Sequence, residues 1–224
     1  MIKNGQDRSV LVGRIFENLA VHLFGGEITD NRPRIGNLKE VGKIDITDSN
    51  KKRLIEVKSS NHKDRFVILH RQFKLQQNLV KGKYSQIDLF LGDTTSYELY
   101  HMFFSYKTKR LYSFGDNYQE LEDSVKNSID YLIITSFDIV EAMFKNYEIR
   151  TKTQWEDHIE FKRKNVKEML DNYKTSLSSL GLNEENYEFR ENILSNEKTN
   201  KFKTISIINN NYKQGDFIKT ANHP

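Results

Sequence analysis

The sequence predicts an α/β fold: a central mixed β-sheet flanked by helices, followed by a mainly helical C-terminal extension. Three features predict it. An amphipathic helix opens the chain, two period-two segments joined by a short polar turn follow it, and apolar runs of strand length then alternate with helical patterns. The 224 residues suffice for one large domain, with 37% hydrophobic and 29% charged residues and only two prolines. Such a composition buries a substantial core and leaves no room for a long disordered linker. A core domain is expected over residues 1–150 and the extension over 151–224.

From Ser9 to Phe24, Val10, Val12, Ile15, Phe16, Leu19, Ala20 and Leu23 recur at three- and four-residue intervals, and Gly25-Gly26 closes this helix. After a turn-rich stretch around Asn31, Arg32, Pro33 and Arg34, Val41 to Thr47 reads as a strand, with Asp48, Ser49 and Asn50 as turn residues. A second strand, Arg53 to Ser59, completes a hairpin. Period two places Ile44 and Ile46 opposite Asp45, and Leu54, Glu56 and Lys58 on a face separate from Ile55 and Val57. Arg71 to Val80 is expected to be helical and Ile87 to Leu91 a buried strand, while Leu99 to Tyr106 and Arg110 to Phe114 suit another hairpin. Tyr118 to Asn127 and Phe137 to Phe144 read as helices around a strand at Tyr131 to Thr135. Between Thr153 and Leu180, Trp155, Ile159, Phe161, Val166, Met169, Leu170 and Tyr173 suggest one or two helices. The tail from Gly181 is rich in Asn, Lys and Glu and reads as loops with one strand, Thr204 to Ile208; no repeat is visible.

Several function classes fall away. With no cysteine there is neither a disulfide framework nor a thiolate metal site, and six histidines without a pair at ligand spacing argue against zinc. No glycine-rich phosphate loop of the Walker type occurs. The start MIKNGQDRSV lacks the apolar core of a signal peptide, and no apolar run approaches the roughly 18 residues of a membrane span. A cytoplasmic protein with no membrane partner is expected. The charge is uneven: residues 1–110 hold 20 Lys and Arg against 12 Asp and Glu, residues 111–150 hold 3 against 8, and residues 151–224 hold 12 against 11. A basic first half suits a phosphate-bearing partner, although solvated charge is the commoner role of such residues.

Cleaving a phosphodiester at neutral pH calls for a hard cation to offset charge developing on phosphate and a group that positions the attacking water. Magnesium suits that task, held by one or two carboxylates while keeping several waters. Asp45 and Glu56, on neighbouring strands, supply carboxylates, and the Val57 carbonyl is a plausible third ligand. Lys58, two residues past Glu56, shares its face and places an ammonium beside the same point. The ordinary alternative is a solvated strand face with a surface ion pair worth at most about 1 kcal/mol. Glu17 has an equally ordinary alternative as a solvent-facing helix acid. Asp48 competes as a ligand but sits where a turn residue is expected.

Glu56-Val57-Lys58 inside LIEVKSS, Asp45 inside VGKIDI and Glu17 inside RIFENLAVHLF stand in the order of a known family. Over roughly residues 9–92 the chain resembles the PD-(D/E)XK nuclease superfamily, which includes many restriction endonucleases and the archaeal Holliday junction resolvases. The resemblance implies a restriction endonuclease-like core in which Asp45 and Glu56 bind Mg2+, with Mn2+ as a substitute. By the same resemblance Lys58 activates or orients the water, and Glu17 supports the metal site or orients the lysine. Ile44 stands where the name-giving proline often sits. Gln72 and Gln76 fall where RecB-like relatives carry a glutamine, but the usual tyrosine partner is missing, and both read as surface or DNA-contact residues. Lys43, Lys63, Arg65, Arg71 and Lys74 flank the site as candidate phosphate contacts, as do Lys51, Lys52 and Arg53. The expected activity is a magnesium-dependent DNA endonuclease acting as a homodimer, with restriction-type cleavage preferred because residues 151–224 exceed what a minimal resolvase needs and would serve DNA recognition or dimerisation. The alternatives are a junction resolvase, or a nucleic-acid-binding protein of nuclease-like fold that does not cut.

Overall fold

The computed structural model describes residues 5–29, 44–61, 65–81, 97–107, 117–146, 149–150, 158–162, 173–196 and 199–217. The opening periodicity becomes α1 (Gly5–Phe24), whose buried stripe of Val12, Ile15, Phe16, Leu19, Ala20 and Leu23 faces the sheet. Gly25 and Gly26, at φ 84° and 90°, end it in a conformation that side chains other than glycine rarely adopt. A Cβ on Gly26 would also lie 3.0 Å from the Thr47 carbonyl oxygen, so this glycine lets the chain pass close against the sheet edge.

Next come β1 (Glu27–Ile28), β2 (Ile46–Asp48), β3 (Arg53–Asn61), β4 (Arg65–Leu69) and α2 (His70–Val80). They are followed by β5 (Glu98–Tyr106), α3 (Tyr118–Asn127), β6 (Ile129–Ser136), α4 (Phe137–Asn146), β7 (Ile149–Arg150) and β8 (His158–Lys162). A short helix α5 (Tyr173–Ser179) precedes β9 (Tyr187–Asn196) and β10 (Thr199–Asn209). Seven strands form one mixed, open sheet in the order β1-β2-β3-β5-β6-β10-β9. Within it β3–β5 and β6–β10 are parallel and the other neighbours antiparallel. A second, three-stranded antiparallel sheet has the order β4-β8-β7.

Period two sorts the side chains of the central strands into two layers. Ile55, Val57, Tyr100, Met102, Phe104, Leu132 and Ile134 cluster with the apolar stripe of α1 and with Leu121 and Val125 of α3. Leu54, Leu99, Phe103, Ile133, Ile205 and Ile207 cluster with Phe73 and Leu79 of α2 and with Phe137, Val140 and Met143 of α4. The α/β class with a central mixed sheet flanked by helices therefore holds, with α1 on one face and α2 on the other. Among the described residues no helix is long and apolar enough to cross a membrane.

Among the described residues the C-terminal extension is not mainly helical. Strands β9 and β10 join the main sheet, β10 lying between β6 and β9, so the sheet continues across the boundary expected near residue 150. Alternation explains it: Phe202, Thr204 and Ser206 turn to one face and Ile205 and Ile207 to the other, and all five are buried. Inside the segment read as helical, residues 158–162 form β8, whose Ile159 and Phe161 lie opposite Ile68 and Phe66 of β4. Helix in that segment is described only over Tyr173–Ser179. Strand β5 cannot form the second expected hairpin, because β3 and β6 take both its edges. Arg110–Phe114 and the strand expected at Ile87–Leu91 lie outside the described residues. Ile44 and Ile46 also part company, Ile46 packing in the α1 layer and Ile44 in the α2 layer, because the chain bends at Asp45.

Candidate active site

Strand β2 is short, and its ladder with β3 runs only from Asp48↔Arg53 to Ile46↔Ile55. One residue upstream, Asp45 leaves the ladder, and its side chain replaces the missing backbone partner: Oδ2 accepts the Val57 N–H at 2.8 Å. The Thr29 N–H donates to the Asp45 carbonyl at 3.0 Å and fixes the bend from behind. Within a strand, the N–H and C=O of one residue point to the same edge, so the Val57 carbonyl faces the same gap between the diverging strands. Glu56 and Lys58 flank Val57 in sequence and extend from the α2 face of β3.

Glu56 is fully buried. Its Oε1 accepts hydrogen bonds from Lys58 Nζ and from Gln72 Nε2 of α2, while Lys58 Nζ also donates to Gln72 Oε1 at 3.1 Å. The Lys58 side chain is 17% exposed. Glu56 Oε2 is buried without a hydrogen-bond partner among the described residues. Burial, then the Glu56 charge, raises the Asp45 carboxyl well above the usual carboxylate range, against the opposing pull of Lys58 and the Val57 N–H. Glu56 is raised too, chiefly by burial and in part by Glu17, against the lowering effect of Lys58. For Lys58, burial alone would lower the pKa, but the charges of Glu56, Asp45 and Glu17 outweigh it and raise it above that of a free lysine. The ammonium stays charged at neutral pH.

Asp45, Glu56 and Lys58 thus converge at one point beside the gap. Glu17 of α1 approaches from the other layer, near enough for its charge to act on Glu56 and Lys58, and is ion-paired with Arg14 at 2.8 Å. The donor set fits a hard divalent cation: two carboxylates held close against burial and mutual repulsion, one carbonyl on the same edge, and an unpartnered buried carboxylate oxygen. Among the described residues no group of three or more His, Asp or Glu is placed to hold a metal ion. A cation here would therefore complete its coordination with water or phosphate oxygens, which is how magnesium is ordinarily bound.

Other expectations fare differently. Asp48 is not a free ligand: Oδ2 takes Arg53 Nη2 at 2.7 Å and Nε at 3.2 Å, and Oδ1 takes the Lys51 N–H at 3.0 Å. Arg53, expected among the phosphate contacts, is instead buried, donating to the Phe24 carbonyl at 2.8 Å and lying 4.3 Å from the Phe217 ring centre. Gln72 and Gln76 are not surface residues either, since Gln72 belongs to the Glu56–Lys58 cluster and Gln76 is 2% exposed. Helix α2 packs over β4 and β5 and turns its inward face to the site, which buries Gln76 and half-buries Gln72. Lys74 is exposed on α2. Lys43 and Lys63, and the side chains of Arg65 and Arg71, lie outside the described residues.

One buried group carried no earlier role. His101 of β5 is the register partner of Glu56, fully buried, and its ring nitrogens have no hydrogen-bond partner among the described residues. Burial, reinforced by the Lys58 charge, lowers its pKa to about 3, so the ring is neutral. Its signal in the sequence is a single ionisable residue in the middle of the apolar and aromatic run LYHMFF. Searched against family models, curated proteins and solved structures, the chain matches none of them.

Proposed function

We propose that this chain is a magnesium-dependent endonuclease of the PD-(D/E)XK type, hydrolysing DNA phosphodiester bonds at the Asp45–Glu56–Lys58 cluster. One observation carries the proposal: a fully buried carboxylate, a half-buried one and a charged lysine from a hairpin meet beside a gap in the β2–β3 ladder. Asp45, Glu56 and the Val57 carbonyl would hold Mg2+, with Mn2+ as a substitute. The bound ion would supply charge neutralisation at the phosphate and acidify a bound water.

The protein's own groups define the rest. Lys58, kept protonated by its acidic neighbours, is not a base; it orients the attacking water or binds a phosphate oxygen as a fixed cation. Gln72 bridges Glu56 and Lys58 and sets their spacing, and Glu17 adds negative charge that favours the ammonium form. Lys74, with Lys43, Lys63, Arg65 and Arg71, would contact flanking phosphates. Two copies of the chain would deliver one cut to each strand of a duplex.

Strands β9 and β10 place part of residues 151–224 in the main sheet, so less of that segment is left to read bases, and substrate preference decides between restriction-type cleavage and junction resolution. The test therefore uses both substrates. Incubation with supercoiled plasmid and with a synthetic four-way junction, in Mg2+ and then in EDTA, should give cleavage only with the cation. Nicking or linearising plasmid supports restriction-type action, and paired cuts at the junction alone support resolution. DNA bound in a mobility-shift assay but uncut in Mg2+ would overturn the nuclease proposal in favour of a binding protein.

A further inference from the structure

The α2 face of the sheet holds more polarity behind the site than the proposed chemistry uses. Glu56, His101 and Thr135 stand side by side on β3, β5 and β6, in register, and all three are fully buried. Among the described residues no protein group satisfies Glu56 Oε2, either ring nitrogen of His101, or Thr135 Oγ1. Gln76 lies one helical turn beyond Gln72 on α2, is 2% exposed, and has both carboxamide atoms in the same condition. Aromatic rings pin the imidazole: Phe103 lies 5.9 Å and Phe137 5.8 Å from it, both nearly parallel to its plane. Phe137 in turn contacts Phe73 of α2, at 5.7 Å.

Buried polar groups left without a protein partner cost about 1–3 kcal/mol each, and native interiors satisfy them with ordered water. Several such groups in one layer have the donors and acceptors to hold bridging water. Neighbouring strands are about 4.8 Å apart, so register partners on one face stand side by side, and a water between the imidazole and the Glu56 carboxylate would satisfy both. An apolar residue at position 101 would have packed between Phe103 and Phe137 at no polar cost.

We infer that His101 is a positioning residue for Glu56: its ring, through a buried water shared with Gln76 and Thr135, holds Oε2 from behind and fixes the carboxylate plane toward Asp45. Oε1 is already held by Lys58 and Gln72. Anchoring Oε2 removes the remaining freedom of the side chain. This role rests on the proposed nuclease site, but it makes a prediction of its own about the Glu56–His101 contact.

The experiment combines ring-nitrogen NMR with kinetics on the full chain. His101 is assigned by the loss of its signals in His101→Gln. In the wild type its ring should show one hydrogen-bonded tautomer, and Glu56→Gln should shift both ring nitrogens. Ring signals indifferent to Glu56→Gln would overturn the inference, whether or not the chain cuts DNA. In cleavage, His101→Leu should fold, keep its KM for DNA and lose about 10- to 100-fold in kcat, as expected when an outer partner of a metal-binding carboxylate is removed. His101→Gln should recover part of that loss. Wild-type kcat in a folded His101→Leu would also overturn it. Absence of cleavage by the wild type, with the NMR coupling intact, would sink the nuclease proposal and leave the contact standing.

Discussion

Lys58 has the least ambiguous chemistry in the cluster. Its neighbours hold it cationic, so removing it takes away a fixed positive charge rather than a proton acceptor. Lys58→Ala should lower cleavage by about 10²- to 10³-fold, the usual cost of losing a preorganised electrostatic contact. DNA affinity, measured by fluorescence anisotropy, should stay near wild type; full cleavage activity in the variant would remove the lysine from the mechanism. Asp45 and Glu56 make a linked prediction about pH. Both carboxyls are raised in the folded protein, so between the ordinary carboxylate range and their raised values the folded state binds more protons than the unfolded. Metal-free stability therefore falls as pH rises through that window. A divalent cation binds the ionised pair and offsets the loss. Mg2+ at 100-fold excess over its Kd contributes about 2.7 kcal/mol, or about 5–10 °C in Tm for a domain of this size. The shift should be large at pH 8 and shrink toward pH 5, with proton release on binding. Asp45→Asn should raise the metal-free Tm and abolish most of the Mg2+ shift, and an undiminished shift in calorimetry would exclude Asp45 as a ligand.

The β2–β3 hairpin owes its shape to a second buried pair at its opposite end. Asp48 and Arg53 close the turn, and Arg53 also ties β3 to the last carbonyl of α1. Breaking a buried pair by removing one partner costs about 3–5 kcal/mol, because the other charge is left unmatched. Asp48→Ala should lose about that much in chemical denaturation, whereas a loss below 1 kcal/mol would mean that Arg53 finds water or another acceptor. The sequence exposed this hairpin well, since alternation, turn residues and acid-x-lysine spacing are all local. It also placed Glu56 and Lys58 on one face. Local pattern read Asp48 as a turn residue, and its Oδ1 does take the Lys51 N–H, but it misassigned Gln76, which is buried, and Arg53 and Gln72, because their partners lie on other elements: Phe24 of α1 for Arg53, and Glu56 of β3 for Gln72. His101 was hidden for the same reason, since its register against Glu56 depends on a parallel pairing between strands separated by 36 residues of chain between Asn61 and Glu98.

The order of the main sheet turns chain position into a folding constraint. Strand β6 is followed in space not by its sequence neighbours but by β10, which pairs with it in parallel from Lys203 to Ile207. Hydropathy over the tail concealed this, because Lys201, Lys203 and the neighbouring asparagines lower the mean while Phe202 and the run from Thr204 to Ile208 are buried. The contribution is substantial: Leu194, Phe202 and Ile208 fill the α1 layer and Ile205 and Ile207 the α2 layer. At about 1.5–3 kcal/mol for each large apolar side chain, these five exceed the whole net stability of many domains. A chain ending at Arg150 keeps Glu17, Asp45, Glu56 and Lys58 but leaves the edge of β6 unpaired and both layers short of side chains. Such a truncation should lose near-UV circular dichroism and cooperative melting, and with them any Mg2+-dependent cleavage. A soluble, cooperatively melting 1–150 fragment that still shows a Mg2+-induced Tm shift would mean that the five preceding strands of the sheet support the site without β10, and that the tail is an extension after all.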